Sequence, residues 1–170
     1  MRRIALALIA VVSFACSDAT SPVAPSPAVS DSTAVVVPDQ ADHGGRALAA
    51  LLTGSAIVLP DTGDPDGAGT FEMTANTGQR ELCYALRTSN IGPITAVHLH
   101  RGAVGEDGEG VFTLSLGFGG YASECVDHLD RSLIHDILRN PEGYYIVVHT
   151  VDYPDGSIRG QLAFHRQAYQ

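Results

Sequence analysis

The sequence predicts an all-β domain carrying one short helix, and three observations support that reading. Apolar and polar residues alternate with a period of two through several short segments, as in strands with one buried face. Those segments are separated by clusters of Gly, Pro, Asp and Asn, which suit turns. One stretch alone has its apolar residues at helical spacing: Leu129, Leu133 and Ile137, flanked by Ile134 and Leu138.

The chain opens with two arginines, an apolar run and small residues, MRRIALALIAVVSFA, which is the pattern of a secretory signal over residues 1–15. Cys16 follows directly, and Ser13-Phe14-Ala15-Cys16 resembles a bacterial lipobox, with Ser13 where Leu is usual. On that reading Cys16 becomes the lipidated first residue, and acyl chains tether the protein to a membrane; an ordinary signal peptide cut nearby is the alternative. Residues 16–45 are rich in Ser, Pro, Ala and Thr, cannot build a core, and read as a disordered tether. Within it, Ala34, Val35, Val36 and Val37 are apolar enough to add an edge strand, and His43 reads as a solvated residue. The protein is therefore expected to be exported and held at the cell envelope by a lipid anchor.

The domain is expected over 46–166. A first strand covers 47–52 and 55–59, bent at Gly54, and an acidic turn follows over 61–67. Phe71, Met73 and Ala75 form the apolar face of a second strand, Leu82, Tyr84 and Leu86 that of a third, with Asn76-Thr77-Gly78 turning between them. In the stretch ITAVHLHR, Ile94, Ala96, His98 and His100 point one way and Val97 and Leu99 the other, so two imidazoles share a face. Residues 102–110 form a glycine-rich acidic loop, and the strand after it places Phe112, Leu114 and Leu116 on one face. A glycine-rich loop over 117–125 precedes the helix, for which Asp127 is the expected N-cap and Asn140-Pro141 the stop; His128 and His135 read as ordinary helix residues. Two strands close the domain: one presents Tyr145, Val147 and His149 on one face, and the other returns through Pro154-Asp155-Gly156 to Ile158 and Arg159. Residues 166–170 should fray.

Composition narrows the function. All ten basic residues are Arg, against 19 acids, for a net charge of −9, which disfavours nucleic acid and anionic lipid as partners. Neither G-x-S-x-G nor G-x-x-x-x-G-K occurs. Asp61, Asp64 and Asp66 lack the spacing of an EF-hand loop and its twelfth-position Glu, so they read as a solvated turn. Cys83 and Cys125 remain as a pair of thiols, which in an exported chain more often form a disulfide than a metal site.

His98-Leu99-His100-Arg101-Gly102, with Gly105 and Gly108, resembles the H-x-H-x-G-x-x-G signature of the CHRD domain, the module named after chordin. Tyr144-Tyr145, His149-Thr150, Tyr153-Pro154, Gly156 and Ile158-Arg159-Gly160-Gln161-Leu162 resemble its closing signature. The resemblance runs from about Arg46 to His165. It implies an extracytoplasmic immunoglobulin-like sandwich of the Greek-key kind also found in superoxide dismutases, and it implies no activity. The dismutase likeness stops at the H-x-H strand, because a bridging His and a zinc-ligand His-Asp cluster are missing.

The reading is a non-catalytic binding or structural module, its partner an unidentified protein or small ligand at the cell surface, with no cofactor. His98, His100, His149, Arg159 and Tyr145 then form a hydrogen-bonded cluster that locks strands together. The alternative is a copper or zinc domain in which His98, His100 and His149 converge on one ion; an Arg159 facing the imidazoles would weaken it. A glycan or small-ligand site in the 102–110 loop is a third reading.

Overall fold

A computed structural model describes residues 45–117 and 119–170. The signal peptide, Cys16, the tether with its possible edge strand, and His43 lie outside these residues, save Gly45 at the tether's end. Among the described residues nine strands occur in chain order: β1 (Arg46–Thr53), β2 (Ala68–Asn76), β3 (Glu81–Ser89), β4 (Ile94–Arg101), β5 (Gly110–Leu114), β6 (Tyr121–Val126), β7 (Tyr144–Thr150), β8 (Ile158–Gln161) and β9 (Ala163–Phe164). They pair antiparallel in the order β5-β4-β7-β8-β1-β2-β3-β6, with β9 alongside β1, as a single sheet curled into a half-barrel. Two short helices accompany it, α1 (Arg131–Arg139) and α2 (His165–Ala168).

The curl follows from where the apolar faces point. Leu48, Leu52, Phe71, Met73, Tyr84 and Leu86 from β1 to β3 share one buried cluster with Val97 and Leu99 of β4 and Ile146 and Val148 of β7. Burying both sets in one core removes both from water, the dominant favourable term in folding. Helix α1 adds Ile134 and Ile137, both fully buried. The curl also brings the end of β5 to β3, where the Ser115 backbone N–H donates to the Tyr84 hydroxyl at 2.8 Å.

Several expectations need correction. The first strand ends at Thr53; residues Gly54–Ala56 form a tight turn, closed by the Ile57 N–H on the Gly54 carbonyl. Ile94 does not share a face with His98, because a bulge between Ile94 and Ala96 adds a residue and returns Ile94 to the core. The strand after the acidic loop stops at Leu114, leaving Leu116 exposed. Part of the expected loop over 117–125 is instead strand β6, which pairs with β3 along its length and buries Ala122. The Cys83–Cys125 disulfide forms, and it links directly opposed strand residues instead of pinning a loop.

The helix begins later than expected. Asp130, not Asp127, caps it, accepting the Ser132 N–H at 2.7 Å. The preceding residues are held off the helix by Arg80, which donates to the His128 and Leu129 carbonyls. His128 accordingly lies outside the helix at φ 61°, while His135 is within it. The closing strand is split at the buried Leu162, whose N–H donates to the Tyr144 carbonyl. The C-terminus is tied down, with the Tyr169 hydroxyl donating to Glu72 at 2.8 Å and His165 3.5 Å from the same carboxylate.

Candidate metal centre

Val97 and Leu99 of β4 and Ile146 and Val148 of β7 point into the core, so alternation sends His98, His100, Tyr145, Val147 and His149 to the other face. The register sets Ala96 opposite His149, His98 opposite Val147 and His100 opposite Tyr145. His98 and His149 are therefore diagonal neighbours across two strands, within reach of long side chains. Their ring centroids lie 5.1 Å apart, and those of His98 and His100 5.7 Å. One ring nitrogen from each of the three falls within 4.8 Å of the others. The structure thus brings together the three imidazoles that the sequence offered as a structural cluster or a ligand set.

Two of the rings have a fixed proton position. His100 Nδ1 lies 2.8 Å from the Gly108 carbonyl and His149 Nδ1 2.9 Å from the Pro154 carbonyl. A carbonyl only accepts, so each Nδ1 carries the hydrogen, and in the neutral ring the lone pair is on Nε2. Both Nε2 atoms are buried and have no hydrogen-bond partner. Leaving two buried acceptors unpaired costs free energy that a purely structural cluster would avoid. Burial lowers the pKa of His98, with the neighbouring His149 and His100 as further causes, which favours its neutral, metal-ligating form.

Arg159 belongs to the same face but to a different layer. It pairs with Val147 across β7–β8 and is buried, yet its guanidinium donates to the Glu106 and Ala103 carbonyls at 2.8 and 2.9 Å. The guanidinium carbon sits 3.5 Å from the centroid of the Tyr145 ring, and that ring stacks with His100 at 5.0 Å. Arg159 is thus spent on the 102–110 loop and on Tyr145, and the sequence argument against a cation weakens. Burial pushes the Tyr145 phenol above its ordinary pKa, so it stays a donor, and Asp107 Oδ1 lies 3.2 Å from its hydroxyl.

What sequence reasoning missed is the role of backbone: the Gly108 and Pro154 carbonyls, of residues seen only within the signatures, and the carbonyls that Arg159 holds. Gln161 was seen only within the closing signature; its Nε2 lies 2.7 Å from the Gly102 carbonyl and 2.9 Å from that of Tyr144. Gly108 left one readable trace, since a Cβ there would run into the Arg101 carbonyl. The acidic turn shows turn chemistry, the Asp66 N–H donating to Asp64 Oδ1. Among the described residues the other grouping of potential ligands is Glu81 with Cys83 and Cys125, whose sulfurs are consumed in the disulfide.

Fold and site together define a β-rich domain with three converging imidazoles on the outer face of two adjacent strands. Residues 48–162 match the CHRD domain family, and the chain belongs to it. Comparison with curated proteins and with solved structures found no match.

Proposed function

We propose that this protein is an exported, non-catalytic module that binds a copper or zinc ion through His98, His100 and His149. One observation carries the proposal: the Nε2 atoms of His100 and His149 are buried and unpartnered while their Nδ1–H groups are satisfied by backbone carbonyls. A ligating histidine commonly donates its other ring N–H in this way, which fixes tautomer and orientation. Imidazole donors suit copper and zinc better than calcium or magnesium. The signal-like start, the lipobox-like Cys16 and the tether support a lipid anchor that presents the module at a membrane surface. A membrane-bound or unidentified surface partner fits the same reading. The sandwich of immunoglobulin type is the finer architecture we favour. Its support is that the two halves of the sheet share one core and that Thr53 and Arg159 are the paired residues where β1 meets β8.

Calorimetric titration of the purified chain with Cu(II) and with Zn(II) tests the ligand set. Saturable binding of one ion at micromolar concentration or tighter is expected with at least one of them. His149→Ala and His98→Ala should each weaken it by tenfold or more. No heat from either metal in that range overturns the proposal.

A further inference from the structure

We infer that Tyr145 and Arg159 are positioning residues of the histidine site, setting the tautomer and orientation of His100 through the 102–110 loop. The inference rests on the metal-binding reading and concerns what prepares that site. The loop carries the carbonyl that decides the His100 tautomer, that of Gly108. Gly108 is held in turn by Tyr145, whose hydroxyl accepts the Gly108 N–H at 2.9 Å and lies 3.2 Å from Asp107 Oδ1. Arg159 clamps the loop's other limb through the Ala103 and Glu106 carbonyls and lies against the Tyr145 ring. The Tyr145 ring stacks with His100 at an interplanar angle of 23°, so one side chain orients the imidazole and fixes its hydrogen-bond acceptor.

A purely structural reading would have these groups satisfy one another and end there. Instead the chain of contacts runs from Arg159 and Tyr145 to Gly108 and finishes at an imidazole whose remaining nitrogen is buried without a partner. Groups that support metal ligands in this manner change affinity by about 10–100-fold when removed. Tyr145→Phe keeps the stacked ring and deletes the hydroxyl. Arg159→Lys keeps a charge and deletes the two-carbonyl grip, since an ammonium lacks the planar fork.

The test uses the full chain and two readouts. Long-range 1H–15N spectra of the metal-free protein report which His100 nitrogen carries hydrogen. The wild type should show Nδ1–H, and Tyr145→Phe and Arg159→Lys should shift His100 toward a tautomer mixture. Cu(II) titration should show about 10–100-fold weaker binding in both variants, with core methyl resonances unchanged. Asp107→Ala, a change in the exposed loop, should move both readouts in the same direction, and Asp107→Asn, which keeps an acceptor for the hydroxyl, should restore them. Should Tyr145→Phe or Arg159→Lys fail to fold, the Asp107 pair decides. Unaltered His100 nitrogen shifts with unaltered Cu(II) affinity overturn the inference. A wild type that binds no metal sinks the ligand-set reading alone, because the tautomer comparison still tests the positioning.

Discussion

His98 has a charge state set by its neighbours. Burial and two adjacent imidazoles hold its pKa below the ordinary value. In the unfolded chain it takes up a proton near pH 6.5, whereas in the folded protein it stays neutral to lower pH. Its contribution is therefore intact above about pH 6.5 and is lost as pH falls through the folded pKa. An NMR titration of the metal-free chain should place the His98 midpoint below the ordinary imidazole value. A midpoint at or above it would contradict the geometry. Period-two alternation was enough to place His98 with His100, and the signature pair offered His149 as a third member from another strand. The proton positions were not readable, because they depend on carbonyls of Gly108 and Pro154, which have no side-chain signature.

Helix α1 is secured by two carboxylates, one at its N-cap and one within it. Asp130 caps its start, and Asp136 takes the Tyr144 hydroxyl at 2.6 Å and Arg101 at 2.9 Å, tying the helix to β7 and β4. The Tyr144 hydrogen bond, with Arg101 behind it, holds the Asp136 carboxyl below its usual range. A depressed carboxylate stabilises above its unfolded value, about 3.9, and that stability is lost as pH falls through the lower folded value. The thermal midpoint of the wild type should thus drop on acidification below about pH 4, and Asp136→Asn should flatten part of that drop. An equal acid slope in both proteins would count against the link. Asp130→Ala should lower the midpoint at neutral pH, while Asp130→Asn, itself a good cap, should keep most of it. The helix was legible in its apolar spacing, but its first turn was not, because Arg80 claims the His128 and Leu129 carbonyls from a distant position in the chain. Strand β6 escaped for a related reason. Its residues become strand by pairing with β3 and by the Cys83–Cys125 link, and the glycines before it mask a short alternation.

On the scale of the whole molecule, the sheet order separates the two constraints that tie the chain together. The imidazoles sit on β4 and β7, and the disulfide joins β3 to β6 in the other half of the order, with β8, β1 and β2 between. Sites without shared partners act nearly additively, so each should change stability without touching the other. Ligands drawn from two strands make metal binding a brace on the native state, since the unfolded chain does not hold the three imidazoles together. An ion at 100 times its dissociation constant adds about 2.7 kcal/mol, which for a domain of this size raises the thermal midpoint by roughly 10 °C. A chelator should reverse that rise, and His149→Ala should cut it by about half or more. Reducing the disulfide, whose cysteines are 42 residues apart, should cost about 2–4 kcal/mol. The metal dissociation constant of the reduced protein should nevertheless stay within about twofold of the oxidised value, because β4 and β7 pair with each other and not with the linked strands. Thermal melts in four states, with and without metal and with and without reductant, check this in one experiment. A metal-induced rise that vanishes on reduction would show that the two halves of the sheet do not act independently, and that the histidine face depends on the distant cross-link to hold its shape.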